Sequence, residues 1–173
     1  MKGIIILDKD RQSELSENLL TGLYPILSDC GYEIETAELG KSDAAPCMGC
    51  FKCTDGKCII DDRVAQIRER VYDYELTVYL TPILFGHFSA VVKNAIDRGT
   101  GSHLRQIVIG YGKDIDDSDK AIFIDMTAKH RGKADIVHRG MDERVDVFVS
   151  RKNEENSATL KTIKESMTER GAT

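Results

Sequence analysis

Five short stretches of the chain carry the apolar residues of strands, and the segments between them carry apolar residues at helical spacing. Gly3 to Leu7 reads Gly-Ile-Ile-Ile-Leu without a polar break, as expected of a parallel strand buried on both faces. Ser13 or Ser16 can cap the helix that follows, and Leu19, Leu20, Leu23 and Ile26 give it an apolar stripe. Tyr32 to Leu39 alternates and predicts a second strand. After a cysteine-rich loop, Asp61 and Asp62 suit the first turn of a helix running to about Tyr72. Glu75 to Thr81 predicts a third strand closed by Pro82, and Ser89 caps a helix through Asp97 with Val91, Val92 and Ala95 facing inward. Gln106 to Tyr111 is the fourth strand. Asp117 to Arg131 has a helical period, although Ala121 to Ile124 alone could pass for a strand. Arg144 to Ser150 is the fifth strand, and a polar amphipathic helix with Leu160, Ile163 and Met167 on its buried face ends the chain.

Strands that alternate with helices predict an α/β fold: a doubly wound, three-layer sandwich around a five-stranded parallel sheet. No internal repeat or linker divides it, so residues 1–173 read as a single domain with a cysteine-rich loop at 46–62. In such sheets ligands bind beyond the carboxyl ends of the strands, near the switch in strand order. That rule singles out Asp8 to Ser16, Thr81 to Ser89 and Tyr111 to Ser118. The cysteine loop follows the second strand and emerges on the same edge.

Charge narrows the partners. With 24 basic and 29 acidic residues the net charge is −5, and no basic patch stands out, so nucleic acid is not an expected partner. The opening Met-Lys-Gly-Ile-Ile-Ile-Leu-Asp is too short an apolar run for a signal peptide or a membrane span. The expectation is a soluble cytoplasmic protein with no membrane association, in a compartment that keeps thiols reduced.

Four of the five cysteines, Cys47, Cys50, Cys53 and Cys58, crowd into one run. Thiolates spaced this way can turn toward a common centre, and the repeated two-residue spacing matches ligation of an iron–sulfur cluster. Zinc more often takes two Cys-x-x-Cys pairs across a longer spacer. Thiols without metal are the third reading, while a reducing compartment disfavours a disulfide framework. Cys30, at the end of the first helix, reads as core packing.

Two stretches resemble the flavodoxin-like NADPH-dependent FMN reductases and, within them, the iron–sulfur flavoproteins. One is Pro46-Cys-x-Gly-Cys-x-x-Cys with Gly56-x-Cys58-x-x-Asp61-Asp62. The other is Thr81-Pro-Ile-Leu-Phe-Gly86 leading into Ser89 and Val92-Lys93-x-x-Ile96-Asp97-Arg98. The resemblance implies FMN at the strand ends and a homodimer or homotetramer. Arg11, Ser13 and Ser16 would hold the phosphate. Pro82, Ile83, Leu84, Phe85 and Gly86 would run beside the isoalloxazine ring and offer backbone N–H groups to it, with Tyr111 and Gly112 closing the opposite side. It further implies a [4Fe–4S] cluster on Cys47, Cys50, Cys53 and Cys58. Lys93 and the Asp97-Arg98 pair take structural roles.

The phosphate loop departs from the family pattern. Where the family places roughly Gly-Ser-x-Arg, this chain has Asp8-Lys9-Asp10-Arg11. Carboxylates stand where a dianion must sit, and the glycine that permits close backbone approach is missing. The residues therefore predict FMN affinity well below that of relatives. His87 reads as a loop residue, His103, His130 and His138 as surface residues, and the acidic run from Asp114 to Asp119 as a solvated helix start. The functional expectation is an FMN-dependent oxidoreductase or electron-transfer iron–sulfur flavoprotein. NAD(P)H is a possible donor, small molecules or proteins serve as donor and acceptor, and no side chain need act as nucleophile or base. Two other readings stay open: a flavin-only NAD(P)H reductase with metal-free cysteines, and a flavin-free member with a structural or cluster-binding role.

Overall fold

The computed structural model describes residues 1–53, 57–139 and 144–170. Its order of elements is β1 (Lys2–Asp8), α1 (Glu14–Asp29), β2 (Glu33–Leu39), α2 (Arg63–Glu69), β3 (Leu76–Pro82), α3 (Ala90–Asp97), β4 (Arg105–Tyr111), α4 (Asp117–Arg139), β5 (Arg144–Ser150) and α5 (Asn153–Arg170). The strands form one parallel sheet in the order β2-β1-β3-β4-β5. The chain switches direction across β1 and β3, so the crevice at their carboxyl ends is the topological ligand site.

The strand runs end within a residue of their sequence-based bounds, and in β1 and β3 burial on both faces leaves little freedom. β1 is buried from Gly3 onward, and all seven residues of β3 are buried. One apolar cluster joins Ile4, Ile6, Tyr79 and Val108 to α2, α3 and Phe123 of α4. The other joins Ile5, Leu7, Val78 and Ile109 to Leu15, Leu19, Leu23 and Leu27 of α1 and to Ile163 and Met167 of α5. These are the two helical layers.

Three details refine the sequence reading. Ser13, not Ser16, is the N-cap of α1. Ser16 reciprocates, its hydroxyl accepting the Ser13 N–H at 2.8 Å while the Ser13 hydroxyl accepts the Ser16 N–H at 3.4 Å. The helix expected to reach Tyr72 ends at Glu69, where the Arg70 N–H turns back to the Ile67 carbonyl and a 3-10 turn takes over at Val71–Asp73. Ala121 to Ile124 is helical, and α4 continues to Arg139, beyond the expected Arg131. Cys30 is half-buried against the α1–α5 layer, in keeping with core packing. Among the described residues, no helix is long and apolar enough to cross a membrane.

Candidate functional site

The exit of β1 is closed by its own carboxylates. Asp8, 2% exposed, accepts the Asp10 N–H at 3.0 Å and caps a single 3-10 turn over Lys9–Arg11. Asp10 reaches to the exit of β2 and accepts the Lys41 N–H at 2.7 Å. Gly40 makes that approach possible, since a Cβ there would lie 3.0 Å from an Asp10 carboxylate oxygen. Lys9 pairs with Asp43 at 2.6 Å, and Asp43 also accepts the Gly40 N–H at 2.8 Å. The N–H groups of Asp10, Gly40 and Lys41 are thus engaged by protein carboxylates.

The exit of β3 is built differently. Thr81 closes the base of the loop: its hydroxyl accepts the Ser89 N–H at 3.1 Å and donates to the Pro82 carbonyl at 3.1 Å. Ser89 then caps α3 through the Val92 N–H. Leu84 and His87 exchange backbone hydrogen bonds of 2.9 and 3.0 Å around a two-residue tip. Phe85 and Gly86 occupy that tip with φ of 52° and 73°, the left-handed pair of a type I′ turn. A phenylalanine at positive φ is held at a cost, and here its ring is 91% exposed. The Ile83 N–H bonds the Tyr111 carbonyl at 2.8 Å and the Leu84 N–H bonds His87, so neither is directed at a ligand. The N–H groups of Phe85 and Gly86 take no part in these bonds.

At the exit of β4, the Tyr111 hydroxyl crosses to the β1 turn and donates to the Arg11 carbonyl at 3.0 Å. Burial pushes the Tyr111 pKa up to about 12, with the nearby Asp8 charge acting in the same direction. The ring is therefore a neutral donor at ordinary pH. The Gly112 N–H bonds the Ser150 carbonyl of β5. Asp116 caps the start of α4 by accepting the Asp119 N–H at 2.7 Å.

These three exits enclose a cavity of about 550 Å³, within the range of small-ligand sites. Of the residues expected at a cofactor, Arg11, Ser13, Pro82, Ile83, Leu84, Phe85, Tyr111 and Gly112 line it. Ser16 does not; it is spent on the capping box and borders a small crevice beside Tyr111. Gly86 is buried instead against α4, where a Cβ would meet the Ile122 side chain at 2.8 Å. Leu15, Lys113, Ile115 and Asp119 also line the cavity. Leu15, Lys113 and Ile115 fall within the segments that the strand-end rule singled out, though no side-chain motif marked them, and Asp119 lies one residue beyond. A second cavity of about 660 Å³ shares Asp10, Arg11 and Leu84 with the first and extends to Pro46 and Asn94. It leads to the cysteine loop.

That loop is clasped at its stem. Arg98, 2% exposed, donates to the Ala45 carbonyl at 3.2 Å, to the Ile60 carbonyl at 3.2 Å and to the Asp62 carboxylate. Asp62 also accepts the Ala45 and Ala65 N–H groups, both at 3.0 Å, and so caps α2. Asn94 donates to the Ala44 carbonyl at 2.8 Å. The structural role read for Arg98 thus includes both ends of the cysteine loop, while Lys93 pairs with Asp97 on the surface of α3. Burial pushes the Cys58 thiol up, but the Ile60 N–H and the Arg98 guanidinium more than reverse it, and its pKa falls below the ordinary thiol value. Cys47 is exposed and Cys50, Cys53 and Cys58 are half-buried. Among the described residues, no three Cys, His, Asp or Glu side chains are gathered in a metal-binding group.

The strand order and the crevice between β1 and β3 define a flavodoxin-like α/β protein. The family model for NADPH-dependent FMN reductases matches residues 1–113, and the chain belongs to that family. An iron-sulfur flavoprotein from Methanosarcina thermophila is 26% identical over 99 residues, 57% of this chain and 52% of that one. An iron-sulfur flavoprotein from Methanocaldococcus jannaschii is 33% identical over 99 residues, 57% of this chain and 51% of that one. The matched stretch thus spans about half the length of each of these relatives. In fold, the chain is similar to an NAD(P)H:quinone oxidoreductase from Methanothermobacter marburgensis, with a TM-score of 0.68 at 13% identity over 96% of this chain and 95% of that one. It is also similar to an FMN-dependent NADH-azoreductase from Bacillus anthracis in complex with FMN, with a TM-score of 0.66 at 14% identity over 98% and 99%.

Proposed function

We propose that this chain is a flavin-dependent oxidoreductase that transfers electrons, with the flavin ring in the cavity between the β1, β3 and β4 exits and a [4Fe–4S] cluster on Cys47, Cys50, Cys53 and Cys58. The observation that carries the reading is the adjacency of two cavities that share Asp10, Arg11 and Leu84 in their walls, one under the Pro82–Phe85 loop and the other reaching Pro46 beside Cys47. The ring end of the site fits a flavin: Pro82, Ile83, Leu84 and Ile115 line it as apolar groups, and Phe85 stands at its rim. The β1 end suits a phosphate poorly, because the Asp8 and Asp10 carboxylates take the Asp10 and Lys41 N–H groups and add negative charge there. The cysteine loop fits a cluster by its donor set, by its clasped stem and by the lowered pKa of Cys58.

A flavin ring and a cluster so placed would supply acceptance of an electron pair and its release one electron at a time. The chain's own residues position these groups. The Thr81–Ser89 contact fixes both ends of the β3 loop, neutral Tyr111 holds the β1 turn, and Arg98 keeps the two ends of the cysteine loop together. NAD(P)H suits the donor side, and a small molecule or a protein the acceptor side. Phe85, Ile122 and Met126, 91%, 41% and 38% exposed, are apolar surface that suits a homodimer or homotetramer.

The visible spectrum of anaerobically purified protein tests the reading. Two resolved flavin bands and a broad shoulder bleached by reductant are expected. Serine at any one of Cys47, Cys50, Cys53 or Cys58 should remove most of the bound iron, whereas Cys30→Ser should leave iron content unchanged. Protein that takes up neither flavin nor iron on anaerobic reconstitution would overturn it. Uptake of flavin without iron would reduce the reading to a flavin-only reductase.

A further inference from the structure

We propose that the cavity selects the uncharged flavin, riboflavin, over its 5′-phosphate. The inference rests on the flavin reading above and concerns the end of the site where the phosphate would lie.

Three features of the β1 exit carry it. First, N–H groups at the β1 and β2 exits are taken by the protein's own carboxylates. The Asp10 carboxylate sits in the space that Gly40 leaves open, on the Lys41 N–H at 2.7 Å, and buried Asp8 holds the Asp10 N–H at 3.0 Å. Second, the two serines at the start of α1 are engaged with each other. The N–H groups of Ser13 and Ser16 go to each other's hydroxyls, and the Ser16 hydroxyl donates to the Ser13 carbonyl at 2.8 Å. Third, the charge lining the cavity has the wrong sign for a dianion. Arg11 and Lys113 are its cations, against the carboxylates of Asp10, Asp114 and Asp119. Lys9 is drawn away to Asp43 at 2.6 Å.

The same groups suit a polyol. A carboxylate is an acceptor with several lone pairs and no donor, while a ribityl chain ends in a hydroxyl that can donate. Esterifying that hydroxyl with phosphate removes the donor and sets a dianion against Asp10, unfavourably by Coulomb's law even at solvent-like dielectric.

Fluorescence titration of the full chain with riboflavin and with FMN, at low and high salt, decides the matter. Riboflavin should bind more tightly than FMN by roughly tenfold at low salt. The gap should narrow as salt screens the repulsion, through weaker FMN exclusion and not through a change in riboflavin affinity. Asp10→Asn, which keeps an acceptor for the Lys41 N–H but offers a weaker one to the ribityl hydroxyl, should raise FMN affinity several-fold and lower riboflavin affinity, so that the preference shrinks from both sides. An unchanged unfolding midpoint shows that the variant is intact, and the wild-type comparison stands without it. Tighter binding of FMN than riboflavin to the wild-type chain would overturn the proposal while leaving the flavin reading in place. Binding of neither would overturn both.

Discussion

β1 and β3 lie side by side in the sheet, run parallel and end at the same crevice, yet their exits have opposite chemistry. The β1 exit is polar and closed: Asp8 and Asp10 take backbone donors, and Lys9 and Asp43 pair across to β2. The β3 exit is apolar and open, with Phe85 held at positive φ and turned to solvent. Sheet topology places a ligand at both exits, but it does not decide what each one recognises. Under the proposed reading ring recognition and phosphate recognition are separable: the apolar β3 exit would serve a ring, while the carboxylates at the β1 exit would disfavour a phosphate. A third exit, that of β2, leads into the cysteine loop and depends on a residue far along the chain, Arg98.

The largest expected effect lies at that third exit. Arg98 and Asp62 are a buried pair with side chains 1% and 9% exposed. Arg98→Met should leave the Asp62 carboxylate buried without its counter-ion, at a cost of about 3–5 kcal/mol in urea unfolding. Arg98→Lys should recover only part, because one ammonium does not reproduce a planar fork that serves Ala45, Ile60 and Asp62 together. The pair also sets an acid limit. Burial raises the Asp62 pKa, and the Arg98 guanidinium with the Ala65 and Ala45 N–H groups outweighs it, so the net shift is downward. A depressed folded pKa gives stability that is present above the unfolded value, about 4, and is lost as pH falls through the folded value. Asp62→Asn should therefore be less stable at neutral pH and flatter below about pH 4 than the wild-type chain. An equally steep acid loss in the variant would assign that slope to other carboxylates.

Next comes the base of the β3 loop. Thr81→Val keeps the shape of the side chain but leaves the buried Ser89 N–H without its acceptor, which should cost about 1–3 kcal/mol. If the two exits act separately, flavin affinity should fall while the preference between riboflavin and FMN stays the same. A change in that preference would show that the β3 loop also governs the phosphate end.

How much of this was legible in the sequence depends on how local each cause is. Continuous apolar runs fixed the strands, since Gly3 to Leu7 has no exposed face to offer. The end of α2 was not legible, because residues 70–72 remain compatible with a helix and the 3-10 turn forms where Val71 and Tyr74 enter the core. The length of α4 was not legible either, since its sequence lacks a sustained apolar stripe beyond Arg131. At the site, the Pro82–Phe85 loop and the cysteines could be read as motifs. Asp8 and Asp10 could be read as charges out of place, but not as groups already bonded to the Asp10 and Lys41 N–H groups. The first bond is local, but the second needs β2 beside β1, and the Asp10 carboxylate's contact with Gly40 spans 30 positions.

The smallest effect expected is at the bridge between the two exits. Tyr111→Phe keeps the buried ring and removes only the hydroxyl that donates to the Arg11 carbonyl. Arg11 is exposed, so water can take over that carbonyl, and the loss should be about 0.5–1.5 kcal/mol near neutral pH. At high pH the order should change. The Tyr111 pKa is pushed up to about 12 by burial, with Asp8 adding to the shift, whereas an unfolded tyrosine titrates near 10. A raised folded pKa gives stability that is fully present below about pH 10 and is lost as pH rises through the folded value. The wild-type chain should therefore lose stability between about pH 10 and 12, and the gap to Tyr111→Phe should close across that window. Tyr74, also pushed up to about 12, titrates in the same range in both proteins and cancels from the difference. A gap that stays constant with pH would mean that the Tyr111 hydroxyl is not shielded as its position under the β1 turn requires. The two exits would then be joined by backbone and packing alone.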